Sequence, residues 1–303
     1  MKRFVASSAV AATLVVAASA QATVFQSWNL VVTGNLQNNS QDIEGRAFVG
    51  GNFTGGSPTV AKNLNAGAFS GITTLAVVGN TTVSNINLQA GNIRRGGSLS
   101  GNVNFNGGGN AGVDPTLPSQ LSTLSGELSS LSNYLRTLSS NSTAQFPTSQ
   151  PAPVRYVVNP SVTTTAVFNV SAANVFNNSN IQQIELTPNS ATSIVINVSG
   201  TTVNFSNGNM VGNWSSPFAR SKVIWNFYEA TSITLDRNFN GALLAPLAHL
   251  TNSTAIDGSV YVASMTQNGE VHLPLYTGFI PSPTAASALV AAAIFTSRRR
   301  RTA

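Results

Sequence analysis

The sequence predicts an all-β protein, a right-handed parallel β-helix (a solenoid) with one long α-helix packed alongside, and a β-sandwich as the alternative. Three observations lead there. Over residues 222–276, short runs of β-branched and aromatic residues each close on Asn, Gly, Pro or Asp; 223–227, 232–236 and 256–260 are examples. Such runs are strands bounded by turns, and they follow one another too quickly for crossover helices. Glycine and asparagine pairs recur through the first third of the chain, and both residues tolerate the positive φ of tight corners. Finally, Leu117, Leu121, Leu124, Leu128, Leu131, Leu135 and Leu138 alternate steps of four and three, one stripe along a helix.

In chain order, residues 1–20 read as a Sec signal peptide. Lys2 and Arg3 precede an apolar stretch, and the small residues Ala18 and Ala20 place the cut after Ala20, with a second possibility after Ala22. Residues 24–112 then alternate brief apolar runs with Gly51-Asn52, Gly79-Asn80, Gly91-Asn92 and Gly101-Asn102. Strand candidates between them are 47–49, 74–78 and 102–105. The spacing is irregular, so no strict repeat is present.

The leucine stripe marks a helical insert at about 117–140, begun by Asp114-Pro115 and Pro118. Heptad spacing would allow a coiled-coil dimer, but only Glu127 and Arg136 carry charge on the flanks, which favours a helix laid lengthwise on the β body. Residues 146–153 read as an extended linker. Beyond it, Asn169, Asn197 and Asn226 each sit between apolar residues at intervals of 28 and 29. That spacing fits an asparagine ladder on successive coils, or coincidence in an Asn-rich chain. Solenoid coils accommodate these features, whereas a Greek-key sandwich also turns every 8–12 residues.

The chain ends on an apolar run, residues 284–297, followed by Arg298, Arg299, Arg300 and Arg301. The run is shorter than the ~20 residues a spanning helix prefers, and the arginines would hold the extreme C-terminus in the cytoplasm. Pro281 and Pro283 break the chain just before it. Residues 21–280 are thus the body and 281–303 a sorting or anchoring tail.

Composition excludes several classes. Of 303 residues only 8% are charged, against a usual ~25%, so solubility rests on Asn, Ser, Thr and Gly, as in secreted bacterial β proteins. With no cysteine there is no disulfide frame and no thiolate metal site. The formal charge of +6 comes from the two ends; without Lys2, Arg3 and the four terminal arginines, nine basic residues face nine acids. Arg94-Arg95 is the one adjacent basic pair of the body, and nucleic acid is set aside.

The ordered set Asp42-Ile43-Glu44-Gly45-Arg46-Ala47-Phe48-Val49-Gly50-Gly51-Asn52, Trp225-Asn226-Phe227, Phe239-Asn240-Gly241-Ala242-Leu243-Leu244-Ala245-Pro246, Ile256-Asp257-Gly258-Ser259-Val260 and Gly269-Glu270-Val271-His272 resembles the choice-of-anchor A domain of bacterial surfaces. The tail resembles the PEP-CTERM sorting signal, with Pro281-Ser282-Pro283 where that signal has Pro-Glu-Pro. A glycolipid-anchor signal fits less well, since it does not end in arginines. The resemblance implies an adhesive, extracellular, β-helical domain, similar in outline to ice-binding folds, with no catalytic residue carried over. It also implies processing by signal peptidase and by an exosortase-like enzyme, and contact with the membrane through the tail.

Chemistry in the body comes down to a few groups. Glu270 and His272 fall on one face of a strand and could serve as base and orienter in a polysaccharide-active enzyme; as structural residues they would decorate the end of the coil near the exit to the tail. Asp42 and Glu44 share a face and could hold a hard cation, or form a corner beside Gly45. The Thr-rich pieces Thr163-Thr164-Thr165 and Thr201-Thr202 are candidates for an ice- or polysaccharide-binding face. The expectation is a secreted, surface-displayed structural or adhesive protein of an envelope or matrix. It would be non-catalytic and without cofactor, its partner a polysaccharide or surface protein.

Overall fold

The computed structural model describes residues 23–147 and 152–281. The signal peptide with Ala18 and Ala20, and the tail with Pro283 and Arg298 to Arg301, lie outside the described residues. Within the unit Gln21–Ile280 the chain winds as a three-faced parallel β-helix.

Ten strands form the first face, all parallel. Along the stack they run Thr165–Ser171, Ser193–Ser199, Val223–Asn226, the first half of Ala242–Asn252, the first half of Val260–Gln267, Leu30–Val32, Ala47–Val49, Thr73–Val77, Asn92–Arg95 and Ala111–Val113. The order is not that of the chain. The N-terminal coils start in the middle of the stack and climb to one end. The chain then crosses to the other end and climbs back until Val260–Gln267 pairs with Leu30–Val32. First and last coils therefore meet at a seam inside the stack, where Leu36–Asn38 also joins Val260–Gln267 and Asp42–Ile43 joins Val271–His272.

The helix Leu117–Leu135 makes the crossing. Its 19 residues span roughly 28 Å at 1.5 Å per residue, about six strand spacings of ~4.8 Å. Leu117, Leu124, Leu128 and Leu135 are buried with Val31, Phe48, Ala76, Val195, Ile224, Leu244 and Tyr261, the outward side chains of the first face. That face is covered on both sides, which is why its strands read as unbroken apolar runs rather than alternating ones. The helix packs lengthwise on its own sheet, as the uncharged flanks suggest.

Inward side chains fill the coil. Trp214 and Trp225 stack at 5.1 Å, and Tyr156, Phe168, Phe176 and Phe227 surround them in the longer coils. Coil length is uneven: Leu30, Ala47, Leu75, Ile93 and Ala111 occupy equivalent places at steps of 17, 28, 18 and 18. This irregularity conceals the repeat from the sequence.

One corner shows why glycine and asparagine recur together. Gly51 N donates to Gly34 O (2.7 Å), Gly79 N to Gly51 O (3.0 Å) and Gly97 N to Gly79 O (3.1 Å). A Cβ on Gly79 would lie 2.6 Å from Gly51 O and one on Gly97 2.5 Å from Gly79 O, so no side chain fits. The next residue's amide continues the stack: Asn52 N donates to Asn35 Oδ1 (2.8 Å), Asn80 N to Asn52 Oδ1 (2.9 Å) and Ser98 N to Asn80 Oδ1 (2.9 Å).

Two expectations about elements need correction. The linker read over 146–153 is cut short, because the strand Ala152–Val157, with Pro153 at its second position, pairs with Ile181–Thr187. The run 256–260 is two strands, broken at a corner by Gly258 at φ 140°.

Candidate functional site

Two arrangements on the outer surface concentrate the chemistry. One is a charge network astride the seam. The third face carries Phe239–Asn240, Ile256–Asp257, Val271–His272, Asp42–Ile43 and Thr59–Val60 in register. Register places Asp257 beside His272. His272 Nδ1 lies 2.8 Å from Asp257 Oδ1, and its Nε2 lies 2.7 Å from Glu270 Oε2. Arg220 Nη2 holds the other Asp257 oxygen at 3.3 Å, and Lys62 bridges Asp42 and Glu270. Glu44 accepts the Leu273 N–H at 2.8 Å and an Asn63 amide hydrogen at 2.6 Å.

The network at the seam thus brings together all four residues singled out by sequence, the acids Asp42, Glu44 and Glu270 and the imidazole of His272, and adds Asp257, Lys62 and Arg220. Sequence reasoning missed these three because each is brought in by stacking between coils of uneven length: Asp257 by the coil before His272, Arg220 through Asp257, and Lys62 across the seam to Glu270. The cluster does not decorate the end of the coil, since Asp42–Ile43 stacks directly beyond Val271–His272.

Burial disfavours charge on His272, but hydrogen bonds to Asp257 and Glu270 and the negative charge of Glu44 and Asp257 outweigh it and raise its pKa above the ordinary value. A ring with a carboxylate at each nitrogen suits the imidazolium, which donates from both. An imidazolium so held is a poor general base. Asp42 and Glu44 turn to different partners, and among the described residues no group of three or more His, Asp or Glu is placed to hold a metal ion.

The second arrangement is a row on the outside of the second face. That face stacks Thr202–Phe205, Ser232–Leu235, the second halves of Ala242–Asn252 and Val260–Gln267, Leu36–Asn38, Phe53–Gly55, Thr81–Leu88 and Leu99–Phe105. Its inward side chains, among them Val203, Ile233, Leu250, Met265, Leu36 and Phe53, are buried. Outward, Asn204, Thr234, Thr251, Thr266, Gln37, Thr54, Thr82 and Ser100 stand in one register, each next to the last. The spacing along the row is the strand spacing, ~4.8 Å.

Beside it runs a shorter column, Thr202, Ser232, His249 and Ser264. His249 Nδ1 lies 2.8 Å from Ser264 Oγ. A shallow open trough of about 340 Å³ follows the seam here, lined by Asn35, Gln37, Asn52, Thr54, His249, Ser264 and Thr266. No charged side chain lies in the row.

Of the Thr-rich pieces, Thr202 heads the shorter column and Thr201 sits exposed at the corner before it. Thr163 and Thr164 are exposed ahead of the end strand, and Thr165 is buried against Ser193 Oγ at 2.9 Å, so it offers nothing to a surface. The asparagine ladder is present: Asn197 Nδ2 donates to Asn169 Oδ1 at 2.9 Å, and Asn226 Nδ2 to Asn197 Oδ1 at 2.8 Å. Its amides also reach the helix. Asn226 donates to Ser132 O (3.0 Å), Asn197 to Leu135 O (2.8 Å) and Asn169 to Leu138 O (3.3 Å).

Residues 21–273 match a family model described as "Putative Ice-binding-like adhesive domain". Matches among solved structures include an ice-binding protein from the Antarctic ascomycete Antarctomyces psychrotrophicus, at 12% identity, covering 83% of this chain and 96% of that one, TM-score 0.30. An ice-binding protein from an Antarctic biological consortium matches at 10% identity over 84% of this chain and 90% of that one, TM-score 0.35. One from an Antarctic bacterium, Flavobacteriaceae, matches at 12% identity over 84% and 81%, TM-score 0.30. No curated protein sequence matches.

Proposed function

The chain belongs to the ice-binding-like adhesive domain family, and from that premise we propose that it is a non-catalytic adhesive module, exported and displayed at the cell surface or in the matrix. The observation that carries this reading is the uncharged row Thr234, Thr251, Thr266, Gln37, Thr54 and Thr82 on a regular parallel sheet. Hydroxyls and amides on a fixed ~4.8 Å spacing suit an ordered array of hydroxyls or water, as on an insoluble glycan or on ice. A preordered surface binds without the entropic cost of arranging its groups first.

The ends supply the address. In this reading signal peptidase removes residues 1–20, and an exosortase-like enzyme acts at the tail that begins at Pro281 and Pro283, in keeping with the choice-of-anchor A resemblance.

One experiment covers both parts. Protein from the envelope and medium of its own host is weighed intact, then applied to insoluble glycans and to growing ice, beside a Thr251→Tyr, Thr266→Tyr double variant. The expected chain lacks residues 1–20 and the four terminal arginines, adheres to one of the two surfaces, and loses at least tenfold in adhesion in the variant. The glycan and ice arms identify which surface it is. A chain that retains Arg298 to Arg301 overturns the sorting part. Adhesion unchanged in the variant, or absent in the native protein, overturns the role of the row.

A further inference from the structure

A further group of unpartnered side chains lies at the corner between the first and second faces, beside the end of the long helix. An open hollow of about 350 Å³ is lined there by Arg136, Phe146, Ser171, Asn174, Ser199 and Tyr228. Among the described residues nine lysines and arginines occur, and eight have a partner. Lys62, Arg155 and Arg220 meet carboxylates. Arg46 lies over Trp28 and bonds Thr73 O. Arg94, Arg95, Lys222 and Arg237 donate to amide or backbone oxygens. The guanidinium of Arg136 has none of these.

A cation at a helix C-terminus ordinarily serves the exposed carbonyls of the last turn. Here Asn226, Asn197 and Asn169 already donate to Ser132, Leu135 and Leu138. Arg136 is therefore not needed by the helix and faces the hollow with its fork unused. Tyr228 is half-buried with no hydrogen bond to its hydroxyl, the Asn174 side-chain amide is likewise without a partner, and Phe146 is 40% exposed. One fork, two aromatic rings and free amide and hydroxyl groups thus converge on one small space.

We propose that this hollow holds a carboxylate-bearing sugar unit, a uronate, of an extracellular polysaccharide. A guanidinium pairs a carboxylate through two parallel N–H···O bonds, a match that neither a neutral sugar nor a lone amide supplies. Phe146 and Tyr228 present apolar ring surface to the C–H face of a pyranose, and Asn174, Ser171 and Tyr228 have the donors and acceptors for ring hydroxyls. A bare inorganic anion would leave the rings unused. The inference rests on the adhesive reading and sharpens it: the row gives broad, charge-free contact, and the Arg136 hollow selects acidic chains.

The test is a calorimetric titration of the full chain with alginate oligosaccharides, and with dextran oligosaccharides of equal length as the neutral control. The native protein is expected to bind alginate at least tenfold more tightly than dextran, more weakly as salt rises. Arg136→Gln is expected to lose at least tenfold and Arg136→Lys to recover only part, since both side chains are exposed and leave the fold intact. Equal affinity for both sugars, no alginate binding by the native protein, or Arg136→Gln binding as the native protein does would overturn the proposal. The Thr251→Tyr, Thr266→Tyr variant separates the two readings. Alginate binding kept there while adhesion is lost supports two independent sites; loss of both together would overturn the separateness of the hollow.

Discussion

His272 shows how a single side chain can report on closure of the fold. It is the last strand's outward residue and touches carboxylates from two different coils, Asp257 and Glu270, with Glu44 across the seam. In the unfolded chain it titrates near 6.5; in the folded chain its pKa is higher. A group whose folded pKa is raised stabilises the fold fully below the unfolded pKa, and that stabilisation fades as pH rises through the folded value. The urea midpoint of the native protein is therefore expected to fall as pH climbs from below about 6.5 to above the folded pKa. His272→Asn should begin lower and lose most of that slope. An unchanged slope in His272→Asn would assign the pH dependence to other groups.

At the scale of elements, the helix and the ladder were legible while the threonine row was not, and the reason is geometric. Leucines at steps of four and three sit within one element, so the stripe over residues 117–138 shows its helix directly. Asn169, Asn197 and Asn226 lie on successive coils of nearly equal length, so their period survives in the sequence. The row does not have that advantage. Thr234 to Thr251 is 17 residues, Thr251 to Thr266 is 15 and Thr54 to Thr82 is 28, while Thr266 adjoins Gln37 only through the seam. The same seam hid Lys62 from Glu270, while Asp257 and Arg220 were hidden by the stacking of neighbouring coils.

The helix holds the two halves in line, and its central leucine is the place to test that. Leu128 is fully buried between helix and sheet. Truncation to alanine removes its contacts and leaves a cavity that flat strands cannot close, so Leu128→Ala is expected to cost ~2–5 kcal/mol in urea denaturation. A cost below ~1 kcal/mol, the level of a tolerated hydrophobic swap, would show that the helix rests on the sheet without bracing it.

The β body differs from an ordinary solenoid in where its first and last coils sit. When each coil touches only its neighbours, removing a terminal coil costs one interface and the rest stands. In this stack the last strands are internal. Val260–Gln267 is paired on one side with Ala242–Asn252 and on the other with Leu30–Val32 and Leu36–Asn38, and Val271–His272 lies between Ile256–Asp257 and Asp42–Ile43. Deleting residues 256–280 would therefore open a gap in the middle of the core, exposing Leu30, Val32 and Leu36 on one side and Leu243, Ala245 and Leu250 on the other, all buried in the intact chain. The helix is anchored on both halves, through Leu121 against Gly50 and Ser132 against Asn226, and holds them too far apart to pair directly. The expected result is loss of the fold throughout, read from near-UV circular dichroism of Trp214 and Trp225, although both lie outside the deleted segment. The full chain should unfold in one transition. A truncated chain that kept the native tryptophan signal and midpoint would mean that the C-terminal coils stand without the seam, and the two halves would then be independent domains.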